Sequence, residues 1–476
     1  MATPITKLHS SIFTLTLCLI TTLSFSTFTP TDNHLINCGS AVAATVHNRQ
    51  FISDEEFSNS DTPLLSATRT IPLANQNTNP NTPQIYNTAR VFNKPSKYVF
   101  EIKDPGTHMV RLHFNPFRSS NFDLKNGRFH VLVNGYVVLS NFTVVNMVNN
   151  WIIKEYLIWV DSDKVMIEFI PIKRGEFGFV NAIEVISAPK DLIGDVATLV
   201  NGFENENLVG LSKQGLEIMY RINVGGPKIT PFNDTIWRTW IPDDRFFESS
   251  ELATRVYFSG RIKYQNGGAS REVGPDFVYN TARVISSTNS SIVNGNMTWV
   301  FPVVQGYQYL VRLHFCDIAS MSLGLLYFNV YLNGNLAYEN LDLNSRTYAL
   351  ASPVYTDFVV DSESNGVIRV SIGPSNFSMA HTVDGILNGV EIMKMNNSAG
   401  SLDGKMCAGM VLSSWPQKSV GVLVPFVAVL CVLLSVYVVM QRRISGMRDS
   451  IVWSKLPTDV SEVALKQGNQ HFTAKK

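Results

Sequence analysis

The feature that most constrains this chain is a phrase written twice. Tyr86–Val91 reads YNTARV, and Tyr279–Val284 reads the same six letters. The recurrence extends well beyond them and keeps its order. Ile36-Asn37-Cys38-Gly39 answers Ile222-Asn223-Val224-Gly225, and VRLHF stands at Val110–Phe114 and again at Val311–Phe315. FHVLVNG at Phe129–Gly135 answers FNVYLNG at Phe328–Gly334, and NAIEVI at Asn181–Ile186 answers NGVEIM at Asn388–Met393. The spacing between copies drifts by a few residues, as loop insertions between kept elements produce. A duplication of this length predicts two homologous domains, residues 33–190 and 218–396, joined by a linker over 191–217.

The repeated pieces read as strands. In VRLHF the Val, Leu and Phe side chains alternate with Arg and His, the period-2 pattern of a strand buried on one face. His113 and His314 are accordingly expected on the outward, solvent-facing side. Asn134-Gly135 and Asn333-Gly334 predict tight hairpins, since both residue types accept positive φ. The fold class expected is all-β, two sandwiches in tandem. Helical periodicity is confined to Leu208–Tyr220, which makes the linker helix-bearing.

Two apolar segments belong to the membrane pathway. Lys7, the apolar run Ile12–Leu23 and the small-x-small Ser24-Phe25-Ser26 predict a secretory signal over residues 1–26. Val420–Met440 carries no charge and rises about 31 Å as a helix, the thickness of a bilayer's hydrocarbon core. Gln441-Arg442-Arg443 follows at once, against Lys418 on the other flank. The tail, 441–476, holds seven Lys/Arg and three Asp/Glu. Basic residues mark the cytoplasmic side, so the expected topology is single-pass type I at the plasma membrane, with 397–419 as a juxtamembrane stretch. Six glycosylation sequons, at Asn141, Asn233, Asn289, Asn296, Asn376 and Asn396, all fall on the predicted outer side. Cys38, Cys316 and Cys407 face an oxidising compartment, and their odd number leaves the pairing open.

Signals for chemistry are thin. A formal net charge of +1 offers no footprint for nucleic acid. The chain has no HExxH, GxSxG, P-loop, GxGxxG or CxxC, so no catalytic residue, cofactor or metal is assigned. Asp54-Glu55-Glu56 and Asp243-Asp244 are read as solvated loop charge rather than as the facing carboxylate pair of a glycosidase. Trp237, Arg238, Trp240 and Arg245, beside Phe246 and Phe247, are ligand candidates, because rings stack on sugar faces and arginine forks grip carboxylates. The alternative for this cluster is core packing. Arg90 and Arg283 carry two readings as well: anchors of a loop to a carboxylate, or lining of a groove for an acidic sugar.

INCGS, YNTAR, RLHF followed by Pro116-Phe117, the NG hairpins, RINVGG and the W-x-P-D at Trp240–Asp243 together resemble the ectodomain of plant malectin-like receptor kinases. This is the Catharanthus receptor-like kinase group, of FERONIA/THESEUS type. The resemblance covers roughly residues 33–440. It implies two malectin-like (jelly-roll-like) sandwich domains and a cell-surface receptor or co-receptor in cell-wall sensing and growth signalling. The implied partners are a pectin-like wall carbohydrate or a secreted alkalinisation peptide, a GPI-anchored co-receptor and a full-length receptor-kinase relative. Family members carry a Ser/Thr kinase after the span, whereas the tail here has no Gly-rich phosphate loop, HRD-type loop or DFG. The chain is thus expected to lack enzymatic activity, as a natural kinase-less relative or a truncated gene model. A membrane-anchored carbohydrate-active enzyme is the competing class.

Overall fold

The computed structural model describes residues 28–55, 64–66, 70–144, 151–202, 205–248, 253–286, 295–378, 382–415 and 420–446. The chain divides into two compact units, Met1–Trp415 and Pro416–Lys476. Strands dominate the first.

Each VRLHF motif lies in a central strand with the same neighbours. Gly106–Phe114 runs antiparallel between Ile152–Val160 and Ala182–Ser187. Gln308–Cys316 runs between Pro353–Asp361 and Gly389–Met395 in the same way. Leu112, Phe114, Leu313 and Phe315 are fully buried, each pair in the core of its own half. Facing these strands across the cores are a five-stranded sheet in the first half and a four-stranded one in the second. The hairpins form as the Asn-Gly pairs predict: Asn134 and Gly135 take φ 44° and 85°, and Asn333 and Gly334 take 50° and 80°.

The recurrence of YNTAR now has a cause. Arg90 donates to Asp54 through both Nε (2.9 Å) and Nη2 (2.5 Å), and the same carboxylate accepts from the Tyr98 hydroxyl (2.8 Å) and the Gly39 amide (3.0 Å). Arg283 grips Asp243 likewise, and there Trp299 Nε1 (2.8 Å) and the Gly225 amide (3.1 Å) complete the shell. Gly39 and Gly225 take φ 70° and 71°, and a Cβ on either would collide with the carbonyl of the Ala in the phrase. The two motifs, INxG and YNTAR, are two sides of one close contact. Asp54 and Asp243 are therefore buried, not solvated. Only their neighbours Glu55 and Asp244 reach solvent, and Glu56 lies outside the described residues.

The linker departs from the helical expectation. Val196–Leu199 and Glu206–Val209 form a hairpin, Leu211–Lys213 a single 3-10 turn, and Leu216–Asn223 a strand. Gly210 at φ 87° stops a helix, and Leu216, Ile218, Tyr220 and Ile222 alternate in the sequence, with a register shift between Ile218 and Tyr220 that turns the first pair to one core cluster and the second to another. That strand joins the halves. It pairs with Ile152–Val160 of the first half (Tyr156 with Glu217, Leu157 with Leu216) and with Gly389–Met395 of the second. One 13-stranded sheet consequently runs through both.

The juxtamembrane stretch folds back on the first half. Leu402 is buried in its core, the Val137 amide donates to Gly400 O (3.1 Å), and Asp403 accepts from the Ser140 amide (2.7 Å). Val411 of a short helix, Ala408–Ser414, packs on Leu132, Val137 and Ile170. Cys38 and Cys316 are buried free thiols, and Cys407 is free as well. In the second unit the helix Val420–Gly446 contains a 19-residue apolar stretch, Phe426–Ile444, long enough to cross a membrane. Residues 1–27 and 447–476, with the signal and most of the tail, lie outside the described residues.

Candidate functional site

The outward face of the VRLHF strand is not open to solvent. Arg111 and His113 are 3% exposed, and His314 is fully buried, which corrects the outward reading of both histidines. Alternation marks two faces but cannot say what covers the second one. Here the shared sheet carries a ladder of charge. Glu184 pairs with Arg49 (2.8 Å), Arg111 (3.1 Å) and His113 (2.9 Å), and Glu155 pairs with Arg111 (2.6 Å) and Arg221 (2.8 Å). Arg221 reaches on to Glu391 (2.8 Å), which holds His314 (3.2 Å). The ladder thereby runs from the first half into the second.

Above it lies a cavity of about 520 Å³, where the hairpin strand Arg49–Ser53, the first half's sheet and the loop before Trp240 meet. Its walls are aromatic and its floor ionic. Tyr86 stacks on Trp151 at 5.2 Å, and the Arg49 guanidinium lies 4.4 Å from the Trp237 ring centre. Tyr86 is fixed by its hydroxyl on His113 Nδ1, 2.9 Å away. Trp237 adopts φ 58°, an uncommon conformation for a bulky residue and one that concentrates at functional sites.

The floor carboxylates are held ionised. Burial works to raise the Glu155 pKa, but Arg111 and Arg221 outweigh it and bring it down to about 2. Burial raises and Arg111, His113 and Arg49 lower that of Glu184, which ends well below its ordinary value. A glycosidase acid must hold its proton near neutral pH. These two glutamates are held the other way, ionised against their arginines.

Of the sequence-predicted ligand residues, the structure brings only Trp237 to this cavity. Arg238 is buried on Asp234 (3.0 Å), and Trp240, also buried, donates its indole N–H to the same carboxylate (2.9 Å). Arg245 is exposed and lies outside the cavity lining. Arg90 and Arg283 are spent on Asp54 and Asp243, and Phe247 stacks over Arg283 at 4.1 Å. Arg49, Trp151, Glu155 and Glu184 were missed, because no local pattern links residues this far apart. Among the sequons, Asn141, Asn233, Asn296 and Asn376 are exposed, whereas Asn289 lies outside the described residues. Asn396 is half-buried, with its amide N–H on Asn397 O (3.1 Å) and its oxygen on the Gly215 amide (2.8 Å), so it is the least open of the described sequons.

Residues 36–395 match the malectin-like domain family. A probable receptor-like protein kinase of Arabidopsis thaliana is 44% identical over 406 residues, which is 84% of this chain and 48% of that protein. The receptor-like protein kinase THESEUS 1 of the same plant is 38% identical over 391 residues, 81% of this chain and 45% of its own length. The chain spans about half the length of the curated relatives it matches. Among solved structures, the ANX1 ectodomain from Arabidopsis thaliana superposes with a TM-score of 0.70 at 29% identity, covering 79% of this chain and 98% of that one. A structure of the plant peptide RALF23 in complex with FER and LLG2 gives a TM-score of 0.68 at 31% identity, covering 79% and 99%.

Proposed function

The chain belongs to the malectin-like domain family, and from that membership we propose that it is a cell-surface receptor or co-receptor ectodomain carried on one membrane helix. The two sequence repeats, 33–190 and 218–396, are its two malectin-like domains, and the helix spans the plasma membrane with these domains outside. It binds a secreted alkalinisation peptide together with a GPI-anchored co-receptor, and it acts with a full-length receptor-kinase relative in cell-wall sensing. A pectin-like polysaccharide is the second ligand class.

One observation carries this reading: the fold is shared, over 79% of this chain and 99% of the other, with a chain from the structure of the plant peptide RALF23 in complex with FER and LLG2. The wall-polymer reading draws on the aromatic and arginine lining of the cavity. The competing enzyme class has less support, since the cavity glutamates are locked to arginines. The test is complex formation. The full chain, purified in detergent, is titrated by calorimetry with a synthetic alkalinisation peptide, with and without a soluble GPI-anchored co-receptor. A ternary complex of stoichiometry 1:1:1 is expected. A folded sample that binds neither the peptide nor an oligogalacturonide, with or without the co-receptor, contradicts the reading.

A further inference from the structure

The chain leaves its ectodomain from the first half, although the last strand, Gly389–Met395, belongs to the second. Residues 397–415 cross the junction between them. The Leu402 amide donates to Val137 O (2.9 Å), Ser401 bridges Val137 in parallel, and Leu402 is fully buried in the first half's core. Asp403 holds the Ser140 amide, while Tyr307 of the second half donates its hydroxyl to Gly404 O (3.1 Å). The helix Ala408–Ser414 then lies on the side of the five-stranded sheet turned away from the core. Val411 is fully buried there against Leu132, Val137 and Ile170.

The rest of that helix is open. At about 100° per residue, Met410 and Leu412 fall on the two flanks of Val411, and Gly409 and Ser413 point away from the sheet. Met410 is 57% exposed and Leu412 41%. Small residues at the outermost positions leave both large apolar side chains free to reach outward.

The sequence says what lies beside this face. Only four residues, 416–419, separate Trp415 from Val420, where the apolar span begins. Five fully extended Cα steps reach about 17 Å. The headgroup layer on one side of a bilayer is about 5–8 Å deep, so Trp415 stands no more than about 12 Å above it. Tryptophan and lysine, present here as Trp415, Lys405 and Lys418, favour that interfacial zone.

We propose that the helix Ala408–Ser414 docks on the outer leaflet through Met410 and Leu412, seating the first half on the lipid by the outer side of its five-stranded sheet. Interfacial helices bury their apolar faces to about 5–10 Å, a depth within the reach of this tether. Leu402 and Asp403 tie the helix to the first half, so the seat orients the ectodomain against the bilayer. The inference rests on the reading of Val420–Met440 as the membrane span and is independent of which ligand the ectodomain binds.

The experiment uses the full chain in phosphatidylcholine nanodiscs, with and without lipid brominated near the top of its acyl chains, which quenches tryptophan on contact. Trp415→Phe protein is the background, and Met410→Trp or Tyr257→Trp is added to it singly. Tyr257, in the second half, is 73% exposed. The Met410→Trp emission, read as the difference from background, is expected to fall at least about twofold with brominated lipid, and that of Tyr257→Trp to stay unchanged. Adding Leu412→Asp to the Met410→Trp protein is expected to restore about half or more of the lost emission, since a carboxylate resists entering the lipid. Its melting temperature is expected to match the parent's, because Leu412 lies outside the core. Unquenched Met410→Trp in a chain that co-elutes with the discs, equal quenching at position 257, or no effect of Leu412→Asp would overturn the seat. A chain that does not enter the discs refutes the span itself, and the seat with it.

Discussion

Replacing Asp54 by Ala, or Asp243 by Ala, is expected to destabilise the ectodomain by about 3–5 kcal/mol. Each carboxylate is the buried partner of its arginine, whose second acidic contact, Glu55 or Asp244, reaches solvent. Asp54 meets the buried Arg90, the Tyr98 hydroxyl and the Gly39 amide, and Asp243 meets Arg283, the Trp299 indole and the Gly225 amide. Burial opposes the Arg90 charge, and Asp54 more than offsets it, holding the guanidinium pKa above its ordinary value. Truncating the acid leaves that charge only its solvent-reaching neighbour, Glu55 or Asp244, and leaves a phenol or indole donor unpaired, two costs that add in the same direction. Glu55→Ala and Asp244→Ala serve as controls. Their side chains are 43% and 54% exposed, so each is expected to cost well under 1 kcal/mol. The comparison is read as melting temperature of purified protein and as surface display in cells. An Asp54→Ala protein that melts with the parent would show that the INxG–YNTAR contact does not rest on this carboxylate.

The second large effect belongs to the strand cores. Leu112 and Leu313 are fully buried in separate clusters, each packed by the aromatic and branched residues of the facing sheet. Truncation to Ala loses the transfer free energy of the removed carbons and leaves a cavity that rigid sheets fill poorly. Together these cost about 2–5 kcal/mol. Leu112→Ala and Leu313→Ala are each expected to be retained in the secretory pathway, with reduced surface signal. Normal surface levels for both would mean that the central strands tolerate voids that close packing forbids.

Much of this was legible before any coordinates. The duplication, the strand alternation, the Asn-Gly hairpins and the inward face of VRLHF are local patterns, and local patterns survive folding. What escaped depends on contacts distant in sequence. Asp54 looked like loop charge because its partner, Arg90, lies 36 residues away in the sequence. The repeat itself held the missing signal: Phe51-Ile52-Ser53-Asp54 aligns with Trp240-Ile241-Pro242-Asp243, so an acid recurs with the arginine of YNTAR in both halves. Arg49 and Arg238 fall into the same alignment. The linker misled for a different reason. Leu208, Leu211 and Leu216 fall near helical spacing, but Gly210 and Gly215 break the run, and pairing on both edges made the strand the better-bonded choice. The histidines could not have been placed by alternation alone, since only the covering chain decides which face of a strand stays wet.

The central claim is that the two halves form one body, held together by a shared sheet and by the ladder from Arg49 to His314, and that the cavity belongs to this junction. Differential scanning calorimetry of the purified chain tests it most directly. The account predicts one unfolding transition for the whole ectodomain, with calorimetric and van't Hoff enthalpies in agreement. Two resolved transitions, each carrying about half of the enthalpy, would show that the halves fold independently and would contradict it.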